Sequence, residues 1–180
     1  MGRLKSRFDI VGQLGHLRRY ARTLTRDGAD AEDLVHETLL RAYERRNGFR
    51  AGGNLRAWLL SILHNTYIDG FRARRAEARR VAQAALVAET QFEAPQEHSV
   101  RFAQLRRTFL SLPEGQRAAL HLVAIEGLSY EQAASTLGIP TGTLMSRLGR
   151  ARANLRAMED KERPIGSEHL RIVGGRDGWV

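Results

Sequence analysis

Along most of the chain, apolar and polar positions recur with the period of an α-helix. Between Phe8 and Thr25 the residues Ile10, Val11, Leu14, Leu17, Ala21 and Leu24 fall three or four apart, which predicts an amphipathic helix. Asp30 is placed to cap a second helix, with Glu32 and Asp33 in a first turn whose dipole favours carboxylates. The apolar side of that helix reads Leu34, Val35, Leu39, Ala42 and Tyr43, and it ends near Asn47-Gly48. Asn54 is a cap for a third helix through Trp58, Ile62 and Ile68, running into Arg72-Ala73-Arg74-Arg75. An Ala-rich stretch and the Glu-Ala-Pro-Gln around Pro95 then have the composition of a linker. Phe102 to Leu110 is helical again, and Pro113 suits the first turn of a helix ending at Gly127. No segment alternates with the period of a strand. The expected fold is all-α, with two small helical domains joined by a flexible linker.

The sharpest local signal follows Gly127. Ser129-Tyr130-Glu131-Gln132 is a capping box, Ser with Gln three residues later, opening a short helix to Leu137. Gly138 supplies a turn, and Pro140 with Thr141 starts another helix at once. Two short helices joined through a Gly turn form a helix-turn-helix. In the second helix Leu144, Leu148, Ala151 and Leu155 make a packing face, and Thr143, Ser146, Arg147, Arg150 and Asn154 lie opposite. Those side chains can reach base edges and phosphates from a helix set in the major groove.

Charge supports a polyanionic partner. The 180 residues carry 29 Lys and Arg against 20 Asp and Glu, a net +9. Residues 1–80 hold 17 basic and 9 acidic side chains, net +8; residues 81–100 hold three glutamates and no base. Residues 101–158 hold eight arginines and three glutamates, net +5, and residues 159–180 are net −1. Two basic blocks around an acidic stretch divide the chain into modules at 1–80 and 101–158, a linker at 81–100 and a tail at 159–180. Modules this small bury only about 60% of their chain surface and are individually marginal, so flexible docking of one on the other is expected.

Several function classes are set aside by what is missing. There is no cysteine, hence no disulfide framework, thiolate metal site or cysteine nucleophile. His36-Glu37-Thr38-Leu39-Leu40 begins like a zinc protease motif, but Leu40 stands where the second histidine is required. No phosphate-binding glycine loop occurs. The expectation is a cytoplasmic protein without membrane insertion, catalysis, metal or cofactor.

Three strings together resemble a known family. Ser111-Leu112-Pro113-Glu114-Gly115-Gln116-Arg117, Glu126 to Ala134, and Gly138 to Arg152 are similar to region 4 of an extracytoplasmic-function (ECF) sigma factor of the sigma-70 family. Asp30 to Thr38 resembles the region 2 helix that grips RNA polymerase, and Leu55 to Asn65 resembles the promoter-melting segment. The resemblance covers about residues 8–157, in order. Two positions depart from the pattern: His36 stands where the family usually has glutamine, and Met145 where it often has lysine.

The resemblance implies three sites and three partners. Asp33, His36 and Glu37 would contact core RNA polymerase; Asn65, Asp69, Arg72, Arg74 and Arg75 would read and melt a promoter -10 element. Thr141, Thr143, Ser146, Arg147 and Arg150 would read the -35 element of promoter DNA. An anti-sigma factor would hold the protein inactive. Trp58, Tyr67 and Phe71 share helical spacing with Leu59 and Ile62 and read as core before base-stacking platforms. The competing reading is a stand-alone helix-turn-helix regulator whose N-terminal helices dimerise, without polymerase.

Overall fold

The computed structural model describes residues 9–50, 52–71 and 100–162. The expected linker up to residue 99, the arginines at 72, 74 and 75 and the expected tail beyond residue 162 lie outside these residues. Among the described residues there are seven α-helices and no strand. A 3-10 turn, Val11–Gln13, leads into α1, Leu14–Thr25. Helix α2 spans Gly28–Glu44, and α3 spans Leu55–Thr66 with a wider π-helical turn at Tyr67–Phe71. In the second half, α4 is Val100–Ser111 and α5 is Glu114–Leu120, continued by a π-turn at His121–Ile125. Helix α6 is Tyr130–Leu137, and α7 is Thr141–Glu162.

Local chemistry sets these boundaries. Helix α1 stops because Arg26 adopts the left-handed conformation (φ 62°), and α2 starts two residues later. Its cap is Asp27 and not Asp30. Asp27 has extended backbone and accepts the Asp30 N–H at 2.9 Å; Asp30, three residues on, already lies in the first turn. Asn54 caps α3 as expected, accepting the Ala57 N–H at 3.1 Å. The Ser129 and Gln132 capping box forms in both directions. Gly138 (φ 63°) ends α6 in the left-handed region, where a side chain would be strained.

Some stripe positions face outward. Tyr43 is 62% exposed beneath the Arg46 guanidinium, 4.1 Å from the ring centre, and Val11 is 77% exposed. Tyr67 is buried, whereas Trp58 is only half-buried and packs on Phe49 with ring centres 5.2 Å apart.

The two halves are packed on each other. Leu59, Leu60 and Leu63 of α3 and Ala133, Ala134 and Leu137 of α6 belong to one continuous apolar core, and α3 lies directly against α6. Arg117 of α5 is fully buried at this junction. It donates to the carbonyls of Thr23 (2.7 Å), Leu112 (2.7 Å) and Leu110 (3.3 Å). These carbonyls end helices α1 and α4 or follow them, where partial negative charge favours a cation.

Candidate functional site

The acidic side of α2 is presented to solvent. Leu34, Val35, Thr38 and Ala42 turn into the core, leaving Asp33 and His36 exposed and Glu37 at the margin. Glu37 is engaged within the chain: Arg41, one turn on, donates to it at 3.0 Å. The same guanidinium lies 3.6 Å from Asp69. Arg41 therefore joins two positions that the sequence assigns to separate partners.

At the end of α3, Asn65, Ile68 and Asp69 are exposed while Thr66 and Tyr67 turn inward. The residue before Asn65 is buried: His64 Nδ1 lies 3.0 Å from the Tyr20 hydroxyl. Burial lowers the His64 pKa to about 4, with Glu114 opposing the shift and Arg147 adding to it. Burial also pushes the Tyr20 hydroxyl well above its ordinary range. Tyr20 accordingly donates and neutral His64 accepts, which fixes the ring in the core.

Helix α7 presents Thr143, Ser146 and Arg150 to solvent, and Arg150 donates to Ser146 at 2.8 Å. Thr141 is half-buried at the helix start. Arg147, expected on the open face, is half-buried instead. Its guanidinium lies against Gly115, where an added Cβ would meet it at 3.2 Å. Leu144, Leu148 and Ala151 are fully buried as expected, and Asn154 is tied to Gln116 at 3.0 Å. The candidate face thus consists of exposed Thr143, Ser146 and Arg150, with Arg147 at its edge.

A buried charged cluster between the halves was not legible in the sequence. Glu126 has a fully buried side chain, yet it receives groups from two elements. From α1 come the His16 ring, in short contact, and Arg19 at 3.3 Å; from the π-turn comes His121 at 3.3 Å. His121 also meets Thr23 at 2.8 Å through its other nitrogen. Burial alone would raise the Glu126 carboxyl, but the hydrogen bonds from His121 and His16 outweigh it and hold the group at about 2. Burial lowers the His121 pKa against the pull of Glu126. Among the described residues no group of three or more His, Cys, Asp or Glu is arranged to hold a metal ion, and no helix is long and apolar enough to cross a membrane.

Comparison with known proteins accounts for both halves. The family models for Sigma-70 region 2 and Sigma-70, region 4 match residues 11–77 and 102–155. The ECF RNA polymerase sigma factor EcfG of Rhodopseudomonas palustris is 39% identical over 152 residues, covering 84% of this chain and 83% of that protein. SigM of Mycobacterium tuberculosis, also an ECF sigma factor, is 34% identical over 150 residues, 82% of this chain and 74% of its own. Among solved structures, the sigma factor RpoE of Bartonella quintana, in complex with the anti-sigma factor NepR, superposes with a TM-score of 0.71 at 32% identity. That match covers 86% of this chain and 96% of RpoE. CnrH, in complex with the cytosolic domain of CnrY, gives 0.59 at 29% identity over 85% of this chain and 86% of its own. With both regions present in order and relatives matched along most of their length, the chain belongs to the extracytoplasmic-function group of sigma-70 family RNA polymerase sigma factors.

Proposed function

We propose that this sigma factor acts in the cytoplasm through two units, residues 1–80 and 101–158, joined by residues 81–100. The acidic face of α2, with Asp33, His36 and Glu37, grips core RNA polymerase. Asn65 and Asp69, with Arg72, Arg74 and Arg75 just beyond the described stretch, take the separated -10 strand. Polar side chains there read an extruded base while the arginines follow phosphates. Thr141, Thr143, Ser146, Arg147 and Arg150 read the -35 element in the major groove. Promoter opening draws on binding free energy alone, without covalent chemistry and without a cofactor.

The observation that carries this reading is the outward display of polar and basic side chains on α7, directly after the Gly138 turn. An anti-sigma factor is proposed as the regulator, because RpoE was solved in complex with the anti-sigma factor NepR and CnrH in complex with the cytosolic domain of CnrY. The test is to load purified core polymerase with this chain and sequence the transcripts made from genomic DNA. Transcripts starting downstream of one shared pair of sequence elements are expected. Initiation identical to that of core polymerase alone would overturn the reading.

A further inference from the structure

We propose that Glu126 is a latch that keeps the two halves closed and that the closed form is self-inhibited; this rests on the sigma-factor reading above. The latch is defined by where the carboxylate sits. Glu126 belongs to the second half, on the turn after α5, and Gly127 (φ 67°) directs the chain away immediately behind it. Both side-chain neighbours from outside its own half, His16 and Arg19, come from α1. Arg56 of α3 donates to the Glu126 backbone carbonyl at 3.2 Å. The residue is thus held by two helices of the first half at once, through its side chain and its backbone.

Three further polar contacts cross the same junction: Arg117 to the Thr23 carbonyl, His121 with the Thr23 hydroxyl, and Tyr67 donating to Glu114 at 3.1 Å. A junction closed by charge differs from one closed by apolar packing alone. When the halves separate, water solvates the carboxylate and the Arg19 guanidinium, so opening forfeits pairing without leaving an orphaned charge in a dry interior. When His16 and Arg19 are removed, the buried carboxylate loses its partners from the first half, and when the carboxylate is removed the junction loses its contacts to α1; either change favours opening.

Closure is incompatible with promoter engagement on grounds of length. The -10 and -35 elements lie about 25 base pairs apart, or about 85 Å of duplex. A compact chain of 180 residues has a radius of gyration of only about 16 Å. In the closed form the Tyr67–Glu114 hydrogen bond ties the -10 segment to the base of the helix-turn-helix half, and Arg147 is turned in against Gly115. The two DNA-facing elements must part before both can be occupied.

The absence of cysteine makes the test direct. Ala29→Cys and Ser135→Cys place spin labels at exposed positions in the two halves of the full chain. The labelled parent is expected to give one narrow distance by electron spin resonance. Glu126→Gln, and separately the pair His16→Ala with Arg19→Ala, are expected to broaden it toward longer distances with helical circular dichroism unchanged. Glu131→Gln, an exposed glutamate nearby, should leave it narrow. On a promoter identified by transcript sequencing, the opened variants should reach half-maximal transcription at lower concentration. The gain is the inverse of the open fraction of the parent, on the order of tenfold for a chain about 90% closed. If both latch variants keep the narrow parental distance, the latch is wrong; if they open without lowering the required concentration, self-inhibition is wrong. Should Glu126→Gln lose helicity, the α1 pair, less buried than Glu126, decides by the same two readouts. Absence of transcription from parent and variants alike would instead overturn the sigma-factor reading, with the distances still deciding the latch.

Discussion

Asp27 and Asp30 show how one atom's partner decides a helix start. Both are acceptable caps by residue type, and only the extended backbone at Asp27 lets its carboxylate accept the Asp30 N–H. Asp27→Ala is therefore expected to cost about 1 kcal/mol of stability, as for other lost caps, and Asp30→Ala distinctly less. Urea denaturation of the two variants separates them, and the reverse order would restore Asp30 as the cap. His64 gives a second prediction. Its pKa is lowered in the folded chain, so the unfolded chain binds more protons below the ordinary histidine range. Stability contributed by the neutral ring is present above about pH 6.5 and is lost as pH falls toward about 4. His121, lowered in the same direction, adds to the loss. The expected loss from His64 is about 3 kcal/mol across that window, and His64→Gln should flatten the profile measured by denaturation at each pH. A profile unchanged by His64→Gln would show that this ring does not carry the dependence.

Helix α7 shows the same at the scale of an element. Its apolar face was fully legible, because Leu144, Leu148 and Ala151 follow helical period and are buried together. The position of Arg147 was not, since helical period places it on the open face and only the packing of α5 against α7 turns it over Gly115. Arg147→Ala is expected to cost about 1–3 kcal/mol at the cognate -35 element and to relax preference at one base pair. Arg150→Ala should weaken all sequences alike and lower the salt slope by about one counterion. Titrating both variants on cognate and single-base-changed duplexes at several salt concentrations distinguishes the roles; equal loss on every sequence for Arg147→Ala would make it a phosphate anchor. Gly149 lies exposed in the middle of α7, and a Cβ there meets nothing within 4 Å. Gly149→Ala should stabilise the helix by up to about 1 kcal/mol, read from the thermal midpoint. A fall in that midpoint would contradict the open space around Gly149.

At the scale of the whole molecule, the order of helices, the turn glycines and the capping box could all be read locally, and so could the two-part organisation of the charge. The junction could not. His16 and Glu126 are 110 residues apart, Thr23 and His121 are 98 apart, and no periodicity links positions so distant. The pairing of Glu37 with Arg41 is local and follows from their i, i+4 spacing, but its extension to Asp69 again needs the fold. That triad ties α2 to the end of α3 through partly exposed side chains, where such pairs are weak, so a basic partner can compete for Glu37 at little cost. Gel filtration of the purified chain with core RNA polymerase at moderate salt tests the assignment of α2 most directly. The parent is expected to co-elute with core, and Asp33→Arg with Glu37→Arg to elute alone with unchanged helical circular dichroism. Co-elution of the folded double variant would contradict the assignment of α2 as the polymerase grip.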